Sequence, residues 1–306
     1  MNYTVVVVTY NRIELLKECL ECIDNQTRKF DKIVLVNNCS TDGTTDYLSQ
    51  KFENRSDVIL VTTSKNLGGS GGFELGVKSV PDDTDYVLLI DDDAMLDSGF
   101  LEEIDKCRED GVYAYSGTIL TDNVIDTSHR RRLKNRILMT KKDVPVKEYE
   151  NDSFMYDLST FCGLLISKTI IDEIGLPKGD YFIWYDDTEY SLRVDQYTKI
   201  KNINSAHINH KTSMIDNVDL SWKSYYGYRN QIDVGKKYSK APLIYLMYRY
   251  LYHQFRIIYY ARLAKKNPKE PYYLNCMELH KAVIRDSISG KLGISEEFYP
   301  GKRLRG

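Results

Sequence analysis

Short apolar runs alternate with amphipathic stretches through the first 120 residues. Thr4–Thr9, Lys32–Asn37, Val58–Thr62 and Tyr86–Ile90 are rich in Val, Ile and Leu, the signature of buried strands. Between them, Ile13–Asn25 sets Ile13, Leu16, Leu20 and Ile23 on one helical face. Thr44–Lys51 and Gly71–Ser79 predict two further helices. This alternation predicts an α/β fold, a mostly parallel sheet flanked by helices on both faces. Ligands of such sheets bind beyond the carboxyl ends of the strands. Polar clusters fall at those ends: Thr9-Tyr10-Asn11-Arg12, Asn37-Asn38-Cys39-Ser40-Thr41-Asp42, Asn66-Leu67-Gly68-Gly69 and Asp91-Asp92-Asp93.

Beyond Gly111 the pattern is less regular. The basic run His129–Arg136 predicts a mobile, solvated loop, with contact to an anionic substrate or lipid as the alternative. Thr160–Ser167 predicts a buried strand, and Tyr181–Arg193 a loop entering a helix. From Trp222 onward the chain is helical in pattern and rich in Tyr and Arg. We therefore expect a catalytic domain over 1–215 and a helical C-terminal segment over 216–306.

Charge sharpens this division. Residues 236–306 hold 15 Lys/Arg against 5 Asp/Glu, whereas the whole chain is at −2. The body is acidic and the tail basic, so the tail suits an anionic surface. Pro242–Lys266 interleaves Leu, Ile, Met and Phe with Tyr and with Arg249, Arg256 and Arg262. It is too polar to span a bilayer. It could lie at an anionic membrane face, pack on the catalytic domain, or join a homo-oligomer. The six cysteines are scattered, and the Cys19-x-x-Cys22 pair sits in a helical pattern. Reduced thiols in a cytoplasmic protein, peripheral on the membrane at most, are the expectation. No nucleic-acid partner is expected.

The candidate chemistry centres on Asp91-Asp92-Asp93, three carboxylates directly after an apolar strand. Mutual repulsion favours a cation among them. Alternate residues share a strand face, so Asp91 and Asp93 can converge on one Mg²⁺ or Mn²⁺. A solvated acidic turn is the alternative. Thr9, Tyr10, Asn11 and Arg12 stand where a nucleotide would lie. Asn37 offers an amide to a pyrimidine edge. Asn66 and Gly69 begin a glycine-rich stretch, where a backbone can approach a ligand closely. A second acidic group, Trp184-Tyr185-Asp186-Asp187-Thr188-Glu189-Tyr190, opens a helix. Its carboxylates could cap that helix, or one could act as general base beside an aromatic platform. His207 and His210 follow a strand-like run and could complete a metal site.

These six motifs, in this order over residues 1–215, resemble a family 2 glycosyltransferase of the inverting GT-A type. The Asn66–Phe73 segment with the triple Asp resembles the galactofuranosyltransferase and rhamnosyltransferase branch, as does Tyr225-Tyr226-Gly227-Tyr228-Arg229-Asn230. The resemblance implies a GT-A nucleotide-diphospho-sugar transferase fold and a UDP- or dTDP-sugar donor. It implies Mn²⁺ or Mg²⁺ held by Asp93 and His210, with Asp91 at the metal or ribose and Asp92 beside the donor. It implies Asp187, next to Asp186, as base, and Trp184, Tyr185 and Glu189 at a glycan or lipid-linked glycan acceptor of a bacterial cell surface. Asn37 departs from the Asp of many members. A non-catalytic glycan- or nucleotide-sugar-binding subunit is the rival from another class, but a binder needs no base. A nucleotidyltransferase would want a basic glycine-rich loop after the first strand, and none is present.

Overall fold

The computed structural model describes residues 1–212 and 219–305. The chain forms two compact units. The first comprises Met1–Arg132, Lys142–Gly179 and Asp187–Ile215; the second comprises Leu133–Lys141, Asp180–Asp186 and Asp216–Gly306. The boundary expected at 215/216 lies outside the described residues. Two short upstream segments group with the C-terminal unit.

The amino-terminal half runs β1 (Tyr3–Thr9), α1 (Ile13–Asp24), β2 (Lys32–Asn37), α2 (Thr44–Phe52), β3 (Val58–Thr62), α3 (Gly68–Lys78) and β4 (Tyr86–Asp91). There follow β5 (Ala94–Leu96), α4 (Phe100–Lys106), β6 (Ala114–Thr121), β7 (Val124–Ile125), β8 (Arg130–Asn135) and β9 (Thr140–Asp143). Next come β10 (Ser153–Tyr156), β11 (Leu158–Ser159), β12 (Leu164–Ser167), α5 (Lys168–Ile174), α6 (Asp186–Val194) and β13 (Ile200–His210). The main sheet is ordered β10-β13-β6-β12-β4-β1-β2-β3. Strands β4, β1, β2 and β3 are mutually parallel, and β12 is antiparallel to both its neighbours. Register aligns Thr9 with Asn37 and Val8 with Asp91, so three polar clusters emerge at one sheet edge.

Each strand face has its own core. All of β1 is buried, and alternate side chains point to opposite sides. Tyr3, Val5 and Val7 pack with Leu16, Leu20 and Ile23 of α1. Val6 and Val8 pack with Phe73 and Val77 of α3. The glycines of α3 serve that second contact. A Cβ on Gly72 would stand 2.5 Å from Val8 Cγ1, and one on Gly76 2.4 Å from Val6 Cγ1. Helix α3 begins at Gly68, so most of the glycine-rich stretch expected as a ligand cradle is helix packed flush on β1. Gly69 is open, with nothing within 4 Å of its Cβ position.

The basic run is a second correction. Residues 130–135 form β8, and Arg130 is fully buried. Its guanidinium donates to the carbonyls of Gly117 (2.8 Å) and Cys162 (3.1 Å), to Asn202 Oδ1 (3.2 Å) and to Ser159 Oγ (3.2 Å). A composition count cannot separate such a residue from its solvated neighbours, because the acceptors come from distant strands.

The second unit holds α7 (Trp222–Tyr238), α8 (Pro242–Lys266) and α9 (Pro271–Ser289). Its core joins Tyr225, Tyr226, Ile232, Tyr260, Leu279 and Val283. Arg249 and Arg256, expected at a lipid surface, do not face outward. Arg249 is buried against the Tyr252 ring, and Arg256 donates to Tyr260 Oη at 2.7 Å. Their neighbours His253 and His280 meet Nδ1 to Nδ1 at 2.8 Å. Burial pushes these imidazoles down to about 2 and about 3, so both are neutral beside the arginines. Among the described residues no helix is long and apolar enough to cross a membrane.

Candidate active site

The site begins where β4 stops. After Asp91 the chain turns and re-enters as β5, which pairs antiparallel with the end of β13. That pairing sets His210 opposite Ala94, and the Lys211 N–H donates to the Asp93 carbonyl at 2.9 Å. His210 Nε2 therefore stands 3.4 Å from Asp93 Oδ1. His207 lies earlier on β13, 3.5 Å from Asp97 and more exposed.

Arg12 reaches the same carboxylates from the β1–α1 loop. Its Nη1 donates to Asp93 Oδ2 at 2.6 Å and to Asp92 Oδ1 at 3.2 Å. Thr9 Oγ1 donates to Asp92 Oδ2 at 2.7 Å. Asp92 and Asp93 are buried, and Asp91 is partly so. Burial raises Asp91 well above the usual carboxylate range, helped by the charges of Asp93 and Asp92. Burial likewise lifts Asp92 to about 6, against the Thr9 hydrogen bond and Arg12. Burial also acts upward on Asp93, but His210 and Arg12 outweigh it and hold this carboxyl below its ordinary value. His210 is raised, because Asp93 outweighs the effect of burial.

Among the described residues, two buried atoms in this cluster have no hydrogen-bond partner: Asp93 Oδ1 and His210 Nδ1. Asp93 Oδ1 faces the other ring nitrogen, Nε2, and a carboxylate oxygen next to an imidazole nitrogen is a donor set that suits a divalent cation. Sequence reasoning missed two further residues here. His129, in a short turn before β8, meets the His210 ring edge-on at 5.0 Å. Its Nε2 lies 3.4 Å from Asp126 Oδ2, and its Nδ1 lies 2.8 Å from Thr160 Oγ1. Asp126, His129 and His210 each offer a ligand atom, all within 4.8 Å of one another. Burial lowers His129, while its hydrogen bond lowers Asp126. The spacing to β4 hid this pair, since only the sheet brings β6, β7 and β13 together.

The loops beside the acidic turn are tied to each other. Asn11, at φ 53°, accepts from Thr41 N at 2.7 Å, and Asp42 Oδ2 accepts from Ile13 N at 3.0 Å. Tyr10 is exposed above them. Asn37 is buried; its amide donates to Thr45 Oγ1 and accepts from Ser40 N. Thus the amide expected to meet a base braces its own turn. Asn66 Oδ1 accepts from Gly68 N at 2.7 Å and opens α3. Asn38, next in the same polar cluster, accepts from Leu67 N at 2.8 Å and donates to Gly68 O at 3.0 Å.

Asp187 lies half-buried in the first turn of α6, its Oδ1 accepting from Thr188 N. Asp186 is buried. Glu189 is corrected: it is 1% exposed and pairs with Arg193 Nη2 at 2.7 Å, which leaves it a structural ion pair rather than an acceptor contact. In the second unit, Trp184 and Tyr185 are at φ 65° and 72°. Trp184 is exposed, and its ring lies over Gly227, where a Cβ would meet Trp184 Cε3 at 2.7 Å. Tyr185 carries Lys141 Nζ at 4.9 Å from its ring centre.

A mostly parallel sheet flanked by helices, with buried carboxylates at its strand ends, has the GT-A glycosyltransferase architecture. Residues 4–164 match the family described as Glycosyl transferase family 2, and the chain belongs to that family. It is 26% identical over 196 residues to the galactofuranosyltransferase GlfT1 of Mycolicibacterium smegmatis, covering 62% of this chain and 64% of that one. It is 24% identical over 261 residues to the dTDP-rhamnosyl transferase RfbF of Shigella flexneri, covering 79% and 82%. The fold matches a mannosyltransferase of Pyrobaculum calidifontis, solved with GDP-Man and Mn²⁺, at TM-score 0.56 and 15% identity, over 95% of this chain and 76% of that one.

Proposed function

We propose that this glycosyltransferase moves a sugar, galactofuranose first among candidates, from a UDP-sugar to a hydroxyl of a growing bacterial cell-surface glycan, free or lipid-linked, on the cytoplasmic side. The observation that carries this reading is the approach of Asp93 Oδ1 and His210 Nε2, 3.4 Å apart, at the ends of parallel strands. Asp93 and His210 would hold a Mn²⁺ or Mg²⁺ ion, with Asp91 alongside. Such an ion offsets diphosphate charge and stabilises the departing nucleotide. Arg12 adds a fixed cation at the same edge. Thr9 positions Asp92, and the Asn11–Thr41 and Asn37–Ser40 bonds keep the flanking loops in shape for the nucleoside. Asp187 accepts the proton of the attacking hydroxyl, and attack from the opposite face inverts the anomeric centre. Trp184 and Tyr185 offer aromatic faces to the acceptor sugar.

A dTDP-rhamnose donor is the second reading, favoured by the longer match to RfbF. The test is incubation with UDP-galactofuranose, UDP-hexopyranoses and dTDP-rhamnose, with Mn²⁺ and a panel of synthetic acceptors. Product mass and nucleoside-diphosphate release are read. Release with one donor and an acceptor supports the reading and names the sugar. Undiminished release in EDTA overturns the metal role.

A further inference from the structure

Helix α8 carries an apolar face that is exposed among the described residues. Leu243, Ile244, Met247, Tyr248, Leu251, Phe255, Ile258 and Tyr259 recur at helical spacing, and all are exposed, Leu243 by 83% and Phe255 by 69%. Charged side chains between 242 and 259 number two, Arg249 and Arg256, and both fold back on tyrosines of their own unit. The face is therefore uncharged over about 27 Å of helix. Exposed basic residues bracket it: Lys236, Lys237 and Lys240 before, Arg262, Lys265, Lys266 and Lys269 after. No Asp or Glu occurs from 236 to 269.

We infer that this face of α8 docks on an anionic bilayer surface. The apolar side chains enter the headgroup boundary while the basic clusters at both ends meet lipid phosphates. Charge decides against a second copy of the chain as the occupant. Laid parallel or antiparallel on this face, a second α8 would set basic cluster against basic cluster at both ends. The agents differ from those the sequence suggests: Leu251 and Phe255 touch lipid, whereas Arg249 and Arg256 do not. The inference is independent of which sugar is transferred.

Sedimentation of the full chain with vesicles tests it. Phosphatidylcholine mixed with phosphatidylglycerol is compared with phosphatidylcholine alone, at about 0.05 M and about 0.5 M salt, on either side of a Debye length of about 10 Å. Binding is expected to the anionic vesicles at low salt, with release at high salt. Leu251→Ser with Phe255→Ser should lower partitioning at least tenfold. Each of Lys265→Gln and Lys266→Gln should lower it about fivefold, the equivalent of about 1 kcal/mol per basic residue. Transfer to a short soluble acceptor should not change in any of these variants, which separates this test from that of the donor. Equal binding to neutral vesicles, or undiminished binding of the double Ser variant, overturns the inference. So does failure to bind the anionic vesicles, and a dimer that the double Ser variant dissociates would then assign the face to self-association.

Discussion

His210 Nε2 and Asp93 Oδ1 stand 3.4 Å apart, yet they lie far apart in the sequence. The antiparallel pairing of β5 with β13 brings them together. Among the described residues Asp93 Oδ1 has no hydrogen-bond partner, so a buried carboxylate oxygen stands open to a cation beside an imidazole. Asp93→Ala should abolish transfer and Mn²⁺ binding while leaving the circular dichroism spectrum unchanged. His210→Ala should weaken Mn²⁺ affinity by more than tenfold, and His207→Ala by much less, as read by titration calorimetry. The reverse order would assign the ligand to His207.

His129 acts one layer out. It meets the His210 ring edge-on and is itself held between Asp126 and Thr160. Groups that orient a metal-binding imidazole typically govern affinity by about 10–100-fold. His129→Phe keeps the ring contact but loses both polar anchors. Mn²⁺ affinity should fall within that range, with a smaller loss of turnover once metal saturates. Unchanged affinity would restrict His129 to packing.

The acidic turn also predicts a pH effect. Asp92 is raised to about 6 by burial, and Asp91 is raised as well. The unfolded chain has ordinary carboxyls, so near pH 5 the folded state binds more protons than the unfolded state. Stability contributed by these groups is thus present at low pH and falls as pH rises through about 6. A bound cation reverses the balance, because it requires the carboxylates ionised. The Mn²⁺-induced rise in Tm should therefore be larger at about pH 7.5 than at about pH 5.5. An equal rise at both values would show that no protons are displaced.

Much of this was legible before the fold was known, and the failures share a cause. β2 and β3 end where the apolar runs end, because local periodicity reports burial directly. The acidic turn was legible because three carboxylates after a buried strand conflict with burial unless something offsets them. Arg130 and Glu189 were not legible. Each is charged in a polar-looking run, and only long-range or same-helix partners reveal that it is internal. The α3 glycines were misjudged in kind: their neighbours are Val6 and Val8 of another element, and spacing carries no trace of that.

Arg130 supports a stability prediction. It satisfies several buried oxygens, all of them carbonyl, amide or hydroxyl oxygens, with one planar donor group. Arg130→Met removes every side-chain donor and takes the guanidinium from the buried carbonyls of Gly117 in β6 and Cys162 before β12. At about 1–3 kcal/mol per unsatisfied group, a loss of about 3 kcal/mol or more is expected in urea unfolding. Arg130→Lys should recover little, since an ammonium cannot reproduce the guanidinium fork.

Asn230 governs the loop that leads into Asp187. Its Nδ2 faces the carbonyls of Tyr181, Ile183 and Trp184 at 3.0, 3.1 and 2.8 Å. Within that loop Phe182, Trp184 and Tyr185 all hold positive φ, a conformation costing roughly 1–3 kcal/mol at each non-glycine residue. This buried amide, joined at the Tyr181 carbonyl by Arg229 Nη2 at 3.1 Å, keeps an unfavourable backbone in place. Asn230→Asp preserves shape but sets an acceptor against three acceptors, so the loop should relax. The expected result is a fall in turnover of tenfold or more with the donor dissociation constant unchanged, since the loop precedes the base and not the acidic turn. Asp187→Asn should lower turnover by about 10² or more by removing the proton acceptor itself. The double variant should then lose little beyond Asp187→Asn alone, because misplacing a group already disabled costs nothing further. Full additivity would show that Asn230 stabilises the second unit without acting through Asp187.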